Sequence, residues 1–215
     1  MGLLPITLDA TTEPEGNDMP PGGGDTEFIN GYGYFIKIDK PSRTVCVWFM
    51  SAFIGGVTPY LKLIAMIRAL TEDHTLHLYI HSPGGEIATC CNIINALQNT
   101  KAQVIMYNLG LAASCGSLML VAADKIYIAP NATTMFHSAG VGLGGLVHRV
   151  VTRTNHTISY VEKMLFEPMK EKGLLTEEEH EAITKRGEEF FITSDVMESR
   201  LRAKGIWYEG GGADV

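Results

Sequence analysis

No stretch of this chain reaches the apolar length of a membrane span. Its opening residues also lack the basic region and apolar run of a secretory leader, so a protein that meets no membrane is expected. Basic clusters are missing as well. Seventeen Lys and Arg face 24 Asp and Glu, a formal net charge of −7, which argues against nucleic acid as the main partner. Cysteine is scarce, and Cys46, Cys90, Cys91 and Cys115 show no metal-site spacing. All four lie in apolar segments, so buried free thiols in a reducing compartment, the cytoplasm, are expected. The seven histidines form no His-Glu-x-x-His pair and no other metal-ligand spacing, and neither a metal nor another cofactor is expected. The Gly-x-x-x-x-Gly-Lys-[Ser/Thr] phosphate loop and the Gly-x-Ser-x-Gly elbow of the α/β-hydrolases are also absent.

What is present suits one domain with a substantial core: 215 residues, 46% of them hydrophobic. Residues 1–30 carry Pro14, Pro20-Pro21, Gly22-Gly23-Gly24 and several acids, the composition of a flexible arm. Strand character follows over Phe28–Asp39 and Thr44–Phe49, then Gly55-Gly56 turn the chain into a helix opened by Pro59, with Leu63, Ile64, Ile67 and Leu70 at helical spacing. The unit then repeats: strand 76–80, glycine turn, helix with Ile87, Cys91, Ile94 and Leu97; strand 103–107, glycine turn, helix from Ser114 toward Ala123; strand 125–129. Such alternation predicts an α/β fold with a parallel sheet. Met135-Phe136-His137 reads as a short strand, and 140–145 as a glycine-rich loop. A long amphipathic helix is predicted over 147–172 with Pro168 as a kink or break, a capping box at Thr176–Glu179, and a last helix over 194–204 stopped by Gly205.

Two turns carry the candidate chemistry. Ser114 stands between an apolar strand and an apolar helix, where its hydroxyl and the N–H of Cys115 meet the donor end of a helix; a helix cap is the simpler role for such a serine. Upstream, His81-Ser-Pro-Gly-Gly85 is a second strand-to-helix turn, with the Gly85 amide unshielded by any side chain. One N–H from each turn would make a two-donor oxyanion hole.

These residues resemble the proteolytic subunit of Clp protease, within the ClpP/crotonase superfamily. The resemblance runs from about Arg43 to Trp207 and is carried by Tyr79-Ile-His-Ser-Pro-Gly-Gly85, Ala112-Ala-Ser-Cys-Gly116, Ile128-Ala-Pro-Asn131, Met135-Phe-His137 and Glu188-Glu-Phe-Phe-Ile-Thr193. It implies a spiral of ββα units with a protruding handle helix: the domain spans 31–208, the handle about 138–172, and 209–215 are a tail. It also implies Ser114 as nucleophile, His137 as general base, and the amides of Gly85 and Cys115 as oxyanion donors. The family's Asp falls on Glu189, whose extra methylene shifts the carboxylate and leaves Glu188 and Asp195 as rivals. Met usually follows the nucleophile where this chain has Cys115, a change expected to matter little because only the amide is used. Gln-Pro usually follows the His, where this chain has Ser138-Ala139.

The implied activity is ATP-dependent serine endopeptidase cleavage of unfolded polypeptide inside a homo-oligomer of stacked seven-fold rings. With no phosphate loop here, ATP use would belong to a separate AAA+ unfoldase. Alternatives on the same scaffold are a crotonase-type acyl-CoA enzyme, which needs no Ser-His pair, a Ser-Lys signal-peptide-peptidase relative, a viral or prohead-type protease, and a catalytically silent structural ring subunit.

Overall fold

A computed structural model describes residues 25–31, 33–50, 54–140 and 145–210. β1 (Thr26–Gly31), β2 (Tyr34–Asp39) and β3 (Thr44–Phe49) form an antiparallel meander. β1 begins inside the segment expected to be a flexible arm, so that boundary moves back to Thr26; residues 1–24 lie outside the described residues. A 3-10 turn at Thr58–Tyr60, with Pro59 in its first positions, leads into α1 (Leu61–Ala69). β4 (Thr75–Ser82), α2 (Ile87–Asn99) and β5 (Gln103–Ala113) follow, and β3, β4 and β5 pair in parallel. The central strands are apolar on both faces: one joins the main core, and the other carries an aromatic row that packs into a smaller cluster of its own. That row runs Phe35, Trp48, Tyr79, Tyr107 on neighbouring strands, with ring centroids 4.5 to 5.3 Å apart.

β5 corrects the sequence reading. It does not end at Tyr107 in a glycine turn but continues through Gly110 to Ala113. Its first part pairs with β6 (Lys125–Ile128) over Ile105–Asn108, its last part with β7 (Thr133–Phe136) over Leu111–Ala113. Gly110 stands where the strand changes partner, so its missing side chain serves a fork rather than a turn. The helix expected from Ser114 to Ala123 is shorter, too: α3 (Cys115–Leu118) tightens into a 3-10 turn at Met119–Ala122.

The predicted long helix comprises α4 (Val147–Val161), a π-helical turn at Glu162–Phe166, and α5 (Glu167–Lys172). Pro168 falls in the first positions of α5, directly after the π turn, so the break expected at this proline is present. Proline lacks an N–H and its ring clashes with the carbonyl four residues back, and the widened turn just before it relieves both. The capping box forms as predicted at the start of α6 (Glu177–Glu181), which passes into a second π turn at Ala182–Arg186. β8 (Phe190–Thr193) pairs antiparallel with β7, and α7 (Ser194–Ala203) ends before Gly205 at φ 68°. Among the described residues no helix is long and apolar enough to cross a membrane. All four cysteines are free; Cys46, Cys90 and Cys115 are buried, Cys91 half-buried.

Candidate active site

The two glycine- and serine-bearing turns, 30 positions apart, are packed against each other. A Cβ placed on Gly84 would lie 2.6 Å from the Ser114 Cβ and 2.9 Å from the Cys115 nitrogen. The Cys115 thiol donates to the Gly85 carbonyl at 3.1 Å, and the Cys90 thiol donates to the Cys115 carbonyl at 3.2 Å. Cys115 therefore contributes more than its amide: its side chain clamps one turn to the other. The neighbouring Cys115 thiol and complete burial hold the Cys90 thiol protonated, well above the usual thiol range. Both thiols are engaged with backbone carbonyls.

Backbone geometry decides what each turn offers. Ser114 adopts φ 52°, ψ −123°, a conformation sparsely populated by residues with a side chain, and its hydroxyl caps nothing. Its N–H bonds the Met135 carbonyl at 3.0 Å, while its carbonyl accepts from Leu118 N–H at 3.0 Å. The carbonyl thus points along α3, and because a trans peptide sets C=O and N–H in opposite directions, the Cys115 N–H points back out of the helix start. The same reasoning holds for Gly85. The Gly84 carbonyl accepts from Ile54 N–H at 2.8 Å, so the Gly85 N–H faces the other way, and among the described residues nothing takes it.

His137 follows the last residue of β7 and opens, with Ser114, Gly85 and Cys115, onto one cavity of about 660 Å³ that is also lined by Ser117 and Phe136 and flanked by Thr157, Val161 and Phe166. Ser117 is a contributor that sequence reading missed. Its hydroxyl lies 2.7 Å from both the Ser114 and the Met135 carbonyls, joining the Ser114 turn to the strand that precedes His137. A serine inside an apolar helix gives no local signal of such a contact. Among the described residues no hydrogen bond joins Ser114 to His137.

The third position is less enclosed. Glu189 is exposed and does not line the cavity, although the pair Phe136↔Phe190 in the β7–β8 ladder puts Glu189 next in register opposite His137. The Glu188 carboxylate is taken by Arg186, and that of Asp195 by the Thr193 hydroxyl at the start of α7, which holds it below the ordinary carboxylate range.

A Clp protease family model matches residues 58–198, which contain both turns, His137 and the three candidate carboxylates. The chain belongs to the Clp protease family. It is accordingly a Clp-type serine peptidase. Two Clp relatives illustrate the distance. The ATP-dependent Clp protease proteolytic subunit of Bdellovibrio bacteriovorus is 32% identical over 159 residues, 67% of this chain and 75% of that one. The ATP-dependent Clp protease proteolytic subunit 1 of Leifsonia xyli subsp. xyli is 28% identical over 155 residues, 69% of this chain and 78% of that one. The α/β sheet with its helices fits the Clp fold expected above.

Outside the cavity the fold gathers one group that linear spacing could not reveal. Ligand-capable atoms of Glu162, Glu167 and His180 lie within 4.8 Å of one another.

Proposed function

We propose that this peptidase is an endopeptidase that cleaves unfolded polypeptide through an acyl-enzyme. Ser114 is the nucleophile, His137 the general base, Glu189 the carboxylate that orients the imidazole, and the amides of Gly85 and Cys115 the oxyanion donors. The observation that carries this reading is the pair of partnerless N–H groups on two turns locked together by the Cys115 thiol, with the positive-φ Ser114 between them. The proton of the Ser114 hydroxyl passes to His137 as the oxygen bonds to the peptide carbonyl carbon, and His137 returns it to the leaving amine. Water, activated by the same imidazole, then releases the acyl group. Each oxyanion donor supplies about 3 to 4 kcal/mol to the charged intermediate.

The relatives are named as proteolytic subunits of an ATP-dependent protease, and this chain carries no phosphate loop of its own. A cytoplasmic homo-oligomer of stacked rings, seven-fold, fed by a separate AAA+ unfoldase, is the assembly that fits. The exposed apolar residues of α4 support it.

A fluorophosphonate probe tests the chemistry. Labelling mapped to Ser114, and lost together with peptide hydrolysis in a folded Ser114→Ala variant, is the expected result. Labelling at another residue, or unchanged hydrolysis by the variant, would remove Ser114 from the role. The exposure of Glu189 favours one competing reading, a catalytically silent ring subunit, and complete failure to label the assembled protein would establish it.

A further inference from the structure

We propose that Glu162, Glu167 and His180 form a binding site for one divalent transition-metal ion of the zinc class, bridging the π turn after α4 to α6. His180 is 4% exposed, and neither ring nitrogen has a hydrogen-bond partner among the described residues. Buried imidazole nitrogens are normally satisfied, so two orphans on one ring call for a partner. One of them, Nε2, faces Glu167 Oε1 at 3.5 Å. That is too long for an N–H···O hydrogen bond, but it is close to the ~3.3 Å edge of a tetrahedron whose metal–ligand bonds are about 2.0 to 2.1 Å.

The backbone explains how two glutamates five positions apart share the site. In an α-helix, residues i and i+5 project toward different sides. Here the Glu167 N–H bonds back to the Glu162 carbonyl, closing one π-helical turn, so the two residues stack one turn apart. Glu167 divides its oxygens: Oε2 takes Lys170 Nζ at 3.0 Å while Oε1 faces His180. Glu162 makes no hydrogen bond or ion pair among the described residues and borders a cavity of about 210 Å³; both glutamates are only half-buried, so water can reach the remaining coordination positions.

The donor set defines the ion. Two carboxylates neutralise a dication, and a neutral imidazole favours zinc, manganese, cobalt or nickel over the all-oxygen preference of calcium and magnesium. The 210 Å³ cavity shares Ala139, Thr157, Val161 and Phe166 with the active-site cavity, so an ion here would brace the wall between them.

The test uses the full-length protein stripped with a chelator and titrated calorimetrically with Zn²⁺ alone, with Co²⁺ absorption as a second readout. The expected result is one ion per chain, a Co²⁺ visible band, and a rise in thermal midpoint with Zn²⁺. Glu162→Gln should weaken binding at least tenfold and abolish the band, and His180→Gln likewise. Binding should also fade as protons compete below the histidine range. Should His180→Gln fail to fold, Glu162→Gln still decides, because no contact of the fold depends on that carboxylate. Absence of saturable binding would leave only a His180–Glu167 ion pair and overturn the proposal. Equal binding by wild type and Glu162→Gln would also overturn it, placing the ion elsewhere, such as on the thiols. None of these outcomes bears on Ser114.

Discussion

Gly84 has no freedom to be anything else. Its φ of 105° is costly for a residue with a side chain, and a methyl there would strike the Ser114 Cβ and crowd the Cys115 amide. Gly84→Ala should cost about 1 to 3 kcal/mol of stability and lower kcat by about 100-fold or more, the scale of one lost oxyanion donor; urea melts alongside steady-state kinetics separate the two effects. Ser117→Ala should be gentler. Both carbonyls it reaches keep a backbone donor, so a loss of about 0.5 to 1.5 kcal/mol is expected, with kcat reduced more than KM because the turn and the His137 strand are then less firmly joined. The glycine turn at Gly84 and Gly85 was legible in the sequence because it follows from local backbone chemistry. Ser117 and the thiol bond of Cys115 were not, since each depends on a partner at least 18 positions away.

The same division between local and distant causes runs through the helices and strands. β3, α2 and the capping box came out where their patterns placed them, because apolar alternation, helical spacing and a Thr-x-x-Glu signature are local. β5 did not, because whether Gly110 ends a strand or lets it fork depends on β6 and β7, which come later in the chain. Likewise, the second π turn, at Ala182–Arg186, has no proline beside it to announce it. The capping box yields a pH prediction. Burial pushes the Glu179 carboxyl up, but the paired Arg200 hydrogen bonds at 2.8 and 2.9 Å and the Thr176 amide outweigh it, so its pKa lies below the ordinary carboxylate value. The folded protein then holds fewer protons than the unfolded one between those two values. The contribution is full above the ordinary carboxylate range and is lost as pH falls through the lowered value. Thermal midpoints should therefore drop less steeply below about pH 5 in Glu179→Gln than in wild type, after an initial loss at neutral pH. Thr176→Ala, which removes only the cap, should cost about 1 kcal/mol.

Among the described residues, α4 carries an apolar stripe that the protomer's own packing leaves open. Along α4, Val147, Val151 and Ile158 are each at least half exposed and recur at four- and seven-residue spacing, so they form a stripe that faces away from the protomer's core; only Val161 of that helix is buried. Leu146 before the stripe and Met164 after it are exposed as well. Contiguous apolar surface of this kind marks an association face, and it suits the contact between stacked rings in the assembly proposed above. The core does not need these side chains, so charging them should separate assembly from folding. In Val151→Glu combined with Ile158→Glu, light scattering should report a fall from a mass many times the 23.5 kDa chain toward a single ring or smaller species, while the thermal midpoint measured at low protein concentration changes by no more than a few degrees. Thr157 and Val161 come from the same helix and line the candidate active-site cavity, so hydrolysis should fall in step with the mass. An unchanged mass in the double variant would detach this stripe from assembly, and an unchanged rate at reduced mass would mean that each protomer completes its own active site without its neighbours.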